Sequence, residues 1–215
     1  LNIKKGDIVF DAGCGVGVAS MYFAARVPDT TYYGVTISQK QADIANELIK
    51  SNKLENRVFI KQSDYHDLSD PNNFFDKIFF FESSCYSNNL NSLASQMAKI
   101  IKNSGTLLIK DIFLVKKREL MSKVELKEIA SLESVYKLNL STLEELQQEL
   151  ENVGFTDISI TILDDNWTLE PFQANMRNET DELNDFGKYN EIEQDVEETT
   201  TWAIIKTKYK NNEKV

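Results

Sequence analysis

Near its start the chain carries Ile8-Val9-Phe10-Asp11-Ala12-Gly13-Cys14-Gly15-Val16-Gly17, and the rest of the sequence is best understood outward from this stretch. Three apolar residues and an acid, followed by glycine at every second position, predict a strand, a tight turn and a helix over about 16–25. Glycine tolerates positive φ and leaves room for a ligand where a Cβ would clash. The free N–H groups at the start of the helix attract a polar ligand. We therefore expect a small, nucleotide-like molecule at the carboxyl end of the first strand.

Length and composition limit the classes of protein that fit. The chain has 215 residues, a net charge of −10 and an isoelectric point near 4.7. We treat residues 1–215 as a single domain with a buried core, and the acidity argues against a nucleic-acid partner. No apolar run approaches the ~20 residues of a membrane span. Cys14 and Cys85 lack metal-ligand spacing, so we predict no bound metal and a reducing, cytoplasmic location. Leu1 is not an initiator methionine, and we expect a further segment upstream of it.

Strands and helices alternate after the first turn. A second strand over 31–36 precedes Ser38, the predicted N-cap of a helix in which the Gln41 side chain reaches back to close a capping box. The pattern then predicts a third strand (58–64), a fourth (74–82), a helix over 90–101 that ends at the turn 103–105, a fifth strand (106–111), a helix opened by a capping box at 141–144, and two final strands (155–163 and 199–208). The continuous apolar run of the fourth strand is typical of a strand buried on both faces.

Two insertions interrupt this alternation. The first, over 113–140, is helical by composition, and the second, over 164–198, holds aromatic residues among nine acids from Glu179 to Glu198. Both leave the sheet near the side where a substrate would bind, and we expect them to form a lid. For the acidic run, a solvated face that aids solubility is an equal alternative.

The glycine turn and the segment after the second strand carry a family resemblance. Asp11-x-Gly13-x-Gly15-x-Gly17 resembles the first motif of class I S-adenosylmethionine-dependent methyltransferases. The string Gly34-Val35-Thr36-Ile37-Ser38-Gln39-Lys40-Gln41 resembles the subgroup with cyclopropane fatty acid synthases, sterol and tocopherol methyltransferases and geranyl diphosphate C-methyltransferases. The resemblance covers about residues 3–112, taken as the cofactor-binding half. It implies an α/β, Rossmann-like, doubly wound seven-stranded sheet with an antiparallel last strand, and helical insertions as a lid.

The resemblance also implies a cofactor, S-adenosyl-L-methionine, with S-adenosyl-L-homocysteine as its product. Asp11 would hold the methionine end of the cofactor, and the ribose would be held by Thr36, Ile37 and Gln41. Asp64 would bind the adenine amino group, with Tyr65 packed on the adenine ring. The full set of cofactor positions that it implies is Asp11, Gly13, Cys14, Gly15, Gly17, Thr36, Ile37, Gln41, Asp64, Tyr65 and Phe81. A nicotinamide-dependent oxidoreductase is disfavoured, because its fingerprint has G-x-G-x-x-G spacing and an acid where Thr36 stands.

The loop after the fourth strand is the predicted catalytic region. Its sequence, Glu82-Ser83-Ser84-Cys85-Tyr86-Ser87, resembles the corresponding loop of geranyl diphosphate C-methyltransferases. No histidine follows Glu82, so we predict Glu82 as base or cation stabiliser, with Tyr86 beside it. His66, the single histidine, is expected in a solvated loop or in contact with a cofactor lid.

These residues predict methylation of a small, largely apolar acceptor, with C-methylation of an isoprenoid as the first choice. Mg²⁺ is expected only if the acceptor is a diphosphate. O- or N-methylation of a natural product remains an alternative, and so does a methyltransferase-like protein that binds cofactor without turnover. The sequence indicates no oligomeric state.

Overall fold

The protein is described from a computed structural model that covers residues 1–69, 71–163 and 199–210. Its helices and strands are β1 (Ile8–Ala12), α1 (Val18–Arg26), β2 (Thr31–Thr36), α2 (Gln39–Ser51), β3 (Val58–Gln62), β4 (Phe75–Phe81), α3 (Leu90–Ile100), β5 (Ile101–Leu114), α4 (Lys123–Tyr136), α5 (Leu143–Asn152), β6 (Phe155–Leu163) and β7 (Thr200–Tyr209), with short 3-10 turns at Ser84–Tyr86 and Arg118–Leu120. The second predicted insertion, 164–198, lies outside the described residues.

One mixed sheet organises all seven strands. Their order is β3-β2-β1-β4-β5-β7-β6, and the first five are mutually parallel, whereas β7 runs antiparallel to both β5 and β6. The predicted fold, a doubly wound sheet closed by an antiparallel hairpin, is therefore confirmed. The strand order reverses between β1 and β4, and in open α/β sheets this switch point is where ligands bind, at the carboxyl ends of the strands.

Helices cover both faces of this sheet, and the strand sequences explain why. Successive residues of a strand point to opposite faces, so Val9 and Phe10 enter two different hydrophobic clusters. One cluster packs β1, β4 and β5 against α3 and α5, through residues such as Met97 and Leu150. The other packs β1 and β2 against α2, through residues such as Ala45. Burial on both sides accounts for the continuous apolar runs of the central strands.

The boundary between α3 and β5 differs from the prediction. The helix ends at Ile100 and the strand begins at Ile101, whereas the sequence predicted a helix through 101 and a turn at 103–105. Ile101 pairs with Phe75 of β4 and is fully buried. Sheet pairing and burial outweigh the local turn signal here. The residues predicted as a turn lie within β5, where the pairing register between β4 and β5 shifts.

The helix caps were predicted partly correctly. Ser38 is the N-cap of α2, and its Oγ accepts a hydrogen bond from the Gln41 N–H at 3.3 Å. The Gln41 side chain does not close a capping box, because its Oε1 accepts from Thr36 Oγ1 at 2.6 Å. The capping box of α5 was predicted one residue too early: it is formed by Thr142 and Glu145. The carbonyl of Ser141 is still bound to β5, where it accepts from the Leu114 N–H.

The first insertion contains less helix than its composition predicted. The strand β5 continues to Leu114, and α4 occupies only Lys123–Tyr136, opened by a capping box between Ser122 and Glu125. Within the described ranges, no helix is long and apolar enough to cross a membrane.

Candidate active site

Strand β1 brings a buried acid to the sheet's switch point, just before the glycine turn. Asp11 is 2% exposed and accepts a hydrogen bond from Ser20 Oγ of α1 at 2.7 Å. Burial raises the pKa of the Asp11 carboxyl to about 7, although the bonds from Ser20 oppose the rise. The Cys14 N–H donates to the Val35 carbonyl at 2.8 Å, which holds the turn against β2. The acid therefore lies in a fixed, largely dehydrated position.

Glycine occupies the three positions of this turn for different structural reasons. All three have positive φ, between 54° and 78°. A Cβ on Gly13 would lie 2.5 Å from Ser83 Cβ, and one on Gly17 would lie 2.2 Å from Ile60 Cδ1. A Cβ on Gly15 would meet nothing within 4 Å. The expected room for a ligand is thus found at Gly15, whereas Gly13 and Gly17 are glycine because neighbouring protein atoms leave no space.

At the end of β2 the structure brings together the residues predicted to contact a ribose. Thr36 is buried, and its hydroxyl donates to Gln41 Oε1. This bond leaves the Gln41 amide N–H groups as donors toward a ligand. Ile37 is 72% exposed, although its carbonyl accepts from Gln62 Nε2 at 3.1 Å. An exposed isoleucine here offers an apolar surface at the carboxyl end of β2.

After β3, Asp64 and His66 form a bonded pair at the same edge. Oδ1 of Asp64 accepts from the His66 backbone N–H and from His66 Nδ1, each at 2.8 Å. Partial burial opposes ionisation of Asp64, but the hydrogen bonds from His66 outweigh it and lower the pKa of this carboxyl. Nε2 of His66 lies 2.8 Å from Ser87 Oγ. The histidine side chain is only 18% exposed, so it is more enclosed than the expected solvated loop.

Tyr65 is packed inside the protein. It is 6% exposed, its hydroxyl donates to the Ser83 carbonyl at 3.0 Å, and its ring contacts Phe80 and His66. Burial raises the pKa of the Tyr65 hydroxyl. Little of this ring is open to a ligand, and its packing on adenine stays a prediction.

Glu82 meets a lysine that the sequence reasoning missed. The Glu82 backbone has a φ of 57°, and its carboxylate forms an ion pair with Lys110 Nζ. Lys110 Nζ also lies 4.5 Å from the centre of the Trp202 ring. Lys110 is brought there because it pairs with Phe81 in the β4–β5 register. A lysine within a strand carries no sequence signal for this contact, since it depends on that register.

Asp111 is a second residue that the sequence reasoning missed. It is fully buried in β5, where Oδ2 accepts from Ser84 Oγ at 2.6 Å and from the Cys85 N–H at 3.1 Å. Its Oδ1 accepts from the Ile112 N–H at 2.9 Å. An acid after the apolar run of a buried strand was the available signal, because a buried carboxylate requires donors. Asp111 fixes the loop that carries Glu82 and the half-exposed Tyr86.

The first insertion packs directly on this predicted catalytic loop. The Asn139 N–H donates to the Cys85 carbonyl at 2.7 Å, and Asn139 Nδ2 donates to the Tyr86 carbonyl at 3.2 Å. Cys85 also joins a hydrophobic cluster with residues of the insertion, which are Leu114, Met121, Ile129, Leu132 and Leu140. Burial raises the pKa of both the Cys85 thiol and the Tyr86 hydroxyl. The insertion therefore covers one side of the loop.

Phe81, the remaining predicted cofactor residue, lies on the α1 face of the sheet. Its ring contacts Phe23 and Phe79, with ring centres 6.2 Å and 4.6 Å away. It lines an open hollow of about 270 Å³ with Leu1 and Leu108 among the other lining residues. Its contact with cofactor stays a prediction. In the part of the chain that the structure describes, no group of three or more His, Cys, Asp or Glu could hold a metal ion.

Comparison with known proteins identifies relatives of this chain. The model of the family described as mycolic acid cyclopropane synthetase matches residues 1–197. Methyltransferase GfsG of Streptomyces halstedii is 31% identical over 112 residues, which cover 52% of this chain and 40% of that protein. Sterol 24-C-methyltransferase ERG6 of Saccharomyces cerevisiae is 28% identical over 107 residues, covering 50% and 28%. The chain thus spans less than half the length of these curated relatives.

Solved structures share the fold over nearly the whole chain. Phosphoethanolamine N-methyltransferase 2 of Haemonchus contortus, in complex with S-adenosyl-L-methionine, superposes with a TM-score of 0.82 at 18% identity, over 97% of this chain and 50% of that one. Geranyl diphosphate C-methyltransferase of Streptomyces coelicolor, with Mg²⁺, geranyl diphosphate and S-adenosyl-L-homocysteine, superposes with a TM-score of 0.78 at 18% identity, over 97% and 74%. At these identities the likeness is one of fold.

Proposed function

We propose that this chain, which belongs to the mycolic acid cyclopropane synthetase family, is a methyltransferase that uses S-adenosyl-L-methionine to methylate a small, largely apolar metabolite. One observation carries the proposal. The open backbone at Gly15 lies next to the buried Asp11, at the point where the strand order reverses. A cofactor with a cationic amino-acid end and an adenosine end fits this combination, because the Asp11 carboxyl, once ionised, would attract the ammonium and the turn at Gly15 leaves room for the ligand.

Three groups of residues would hold the cofactor. The Asp11 carboxylate would pair with the methionine ammonium, and the Gln41 amide would donate to the ribose hydroxyls, with Ile37 against the adenosine. Asp64 would accept a hydrogen bond from the adenine amino group through the oxygen that His66 does not use. S-adenosyl-L-methionine, when bound, supplies a methyl group that is already activated. The residues of this chain then need only align the acceptor and exclude water.

For the acceptor, we propose C-methylation of an isoprenoid as the first choice. Addition of a methyl group to an alkene leaves a carbocation, and the half-exposed Tyr86 ring offers an aromatic face to stabilise it. The Glu82 carboxylate is 54% exposed and would remove the proton that restores the alkene. Both groups belong to one loop, which Asp111 and Asn139 fix from two sides.

Lys110 would supply a positive charge to the head group of the acceptor. Its ammonium lies beside Glu82 in a chain that is otherwise strongly acidic. A diphosphate acceptor needs a counter-charge, and Lys110 is the candidate for it. The described residues include no cluster fit to hold Mg²⁺, so we derive no step through that ion. The same ammonium would also stabilise an oxyanion nucleophile, which keeps O-methylation as the second candidate.

Transfer of a labelled methyl group tests the proposal. The full chain is incubated with methyl-tritiated S-adenosyl-L-methionine and a panel of prenyl diphosphates, phenols and amines. We expect transfer to a prenyl diphosphate, and a loss of about 100-fold or more in Glu82→Gln, with S-adenosyl-L-homocysteine binding unchanged. Glu47→Gln, an exposed site on α2, is the matched control and should retain full activity.

Two outcomes would contradict parts of this account. Transfer only to a phenol or an amine would move the assignment to the second candidate and leave the cofactor site intact. Binding of S-adenosyl-L-homocysteine with no transfer to any acceptor on the panel would favour a non-catalytic binding protein instead.

A further inference from the structure

His66 joins the two loops that border the proposed cofactor and acceptor sites. Nδ1 of its ring bonds to Asp64, which follows β3, and Nε2 bonds to Ser87, which follows β4, each at 2.8 Å. Tyr65, between Asp64 and His66, also reaches the second loop through its bond to the Ser83 carbonyl. The two loops are therefore bound to each other by side chains from two successive residues, Tyr65 and His66.

The hydrogen-bond partners determine where the proton of the imidazole lies. An ionised carboxylate can only accept, so Nδ1 carries the hydrogen that Asp64 Oδ1 receives. In the neutral ring Nε2 is then the acceptor, and the Ser87 hydroxyl donates to it. The lone pairs of Ser87 Oγ remain free to accept from the Asn89 N–H, which lies 3.3 Å away. Each group in this chain of bonds has a compatible partner.

The order carboxylate, imidazole and hydroxyl is also that of a nucleophilic triad, but the Ser87 hydroxyl is too buried to act as a nucleophile. Ser87 is 3% exposed, and its backbone N–H donates to the Ser84 carbonyl at 3.0 Å. A hydroxyl so enclosed is not presented to a substrate. The bonds therefore hold the ring in place and do not activate Ser87 for attack.

We infer that His66 is a positioning residue that fixes the Asp64 carboxylate for recognition of the cofactor's adenine amino group, and that Ser87 holds His66 in the required orientation. Both hydrogen bonds from His66 end on Oδ1 of Asp64. This leaves Oδ2 to accept from an exocyclic amine at an edge of the site where the Asp64 side chain is 57% exposed. The inference rests on the proposed function, because it concerns the base of the cofactor proposed there.

A fixed acceptor distinguishes adenine from hypoxanthine. Hypoxanthine has a carbonyl oxygen where adenine has its amino group, so a carboxylate held at this position would face another acceptor. A carboxylate that is free to rotate away would lose this discrimination. The ratio of the two affinities therefore reports on positioning, whereas a general loss of structure would weaken both ligands alike.

Calorimetric titration with S-adenosyl-L-homocysteine and S-inosyl-L-homocysteine tests the inference. We expect the wild-type chain to prefer the adenine ligand by about 10- to 100-fold. His66→Asn retains a donor at the Nδ1 position but lacks the bond to Ser87, so its preference should fall by about threefold and stay above that of His66→Gln. His66→Gln places its amide near the Nε2 position and loses the side-chain donor to Asp64, while the backbone N–H still donates, and should reduce the preference to about threefold or less.

Ser87→Ala tests the other end of the same chain of bonds and covers the case in which His66→Gln does not fold. It should reduce the preference at least threefold, while Ser134→Ala, an exposed serine of α4, should leave it unchanged. Wild-type preference in both His66→Gln and Ser87→Ala would overturn the inference and leave the proposed function intact. A wild-type chain that binds neither ligand would overturn both.

Discussion

The carboxyl group of Asp11 should make the affinity of the site for its ligand depend on pH. Its pKa of about 7 means that the ligand-free protein holds a proton there at pH 5.5 and has lost it at pH 8. A neutral acid cannot pair with the ammonium of S-adenosyl-L-homocysteine. We therefore expect the Kd of this ligand to fall as the pH rises from 5.5 to 8, by up to about tenfold per pH unit below 7. Titration calorimetry at the two pH values measures this.

The stability of the ligand-free chain should change in the opposite direction. The unfolded Asp11 carboxyl ionises near 3.8 and the folded one near 7, so between these values the folded state binds the extra proton. This group then lowers the free energy of unfolding as the pH rises, by about 1.4 kcal/mol per unit. Asp11→Asn removes both effects, and an equal Kd at pH 5.5 and pH 8 in the wild-type chain would contradict the role given to Asp11.

Substitution of two glycines of the same turn distinguishes an effect on packing from an effect on ligand binding. Gly13→Ala forces a Cβ to 2.5 Å from Ser83 Cβ, whereas Gly15→Ala meets open space, and both positions have positive φ. We expect Gly15→Ala to lose about 1 kcal/mol of unfolding free energy from the left-handed backbone, together with most of its affinity for S-adenosyl-L-homocysteine. Gly13→Ala should lose about 1–3 kcal/mol more from overpacking.

Urea denaturation and calorimetric titration of the two variants measure these effects. Tight ligand binding by Gly15→Ala would contradict an open backbone that serves the cofactor, and equal stabilities would contradict the packing reason for Gly13.

At the scale of elements, the start of α5 shows where local rules are accurate and where they are off by one residue. Both Ser141 and Thr142 are good N-cap residues, and each is followed three residues later by a glutamate. The choice of Thr142 depends on a long-range bond, since Ser141 is tied to Leu114 of β5. Sequence alone could name the capping motif but not its register.

This cap gives a direct test of the structure. Thr142→Ala removes the side-chain acceptor of the Glu145 N–H and should lower the free energy of unfolding by about 1 kcal/mol. Ser141→Ala, its neighbour, should change the stability by less than about 0.5 kcal/mol. Chemical denaturation of both variants measures the difference, and the reverse order would show that α5 begins at the predicted residue.

Other elements followed from the sequence for clear physical reasons. The turn after β1 was predictable because glycine spacing and the buried acid are both local in sequence. The end of α3 was not, because Ile101 belongs to β5 only through its pairing with Phe75. The partners of Lys110 and Asp111 on the predicted catalytic loop are 26–28 residues away and were missed for the same reason, although the acid in a buried strand was itself a signal for Asp111. Features that depend on strand register could not be predicted from sequence alone.

For the molecule as a whole, the sheet order places every predicted cofactor residue except Phe81 around the carboxyl ends of β1, β2 and β3. It places the predicted catalytic loop at the end of β4. The first insertion then packs on that loop through Asn139. In the described part of the chain, the residues predicted to bind cofactor and acceptor are therefore found mainly at one edge of the sheet. The match over residues 1–197 shows the family of the chain, and the proposed roles of these residues all require S-adenosyl-L-methionine as the cofactor.

A thermal-shift comparison of S-adenosyl-L-homocysteine with NAD⁺ tests that claim most directly. A ligand at ~100 times its Kd stabilises the folded state by about 2.7 kcal/mol, which for a chain of this size raises Tm by roughly 5–10 °C. We predict such a shift with S-adenosyl-L-homocysteine, no shift with NAD⁺, and no shift with either ligand in Asp11→Asn at pH 8. A shift with NAD⁺ alone would contradict the assignment of the cofactor and every role derived from it.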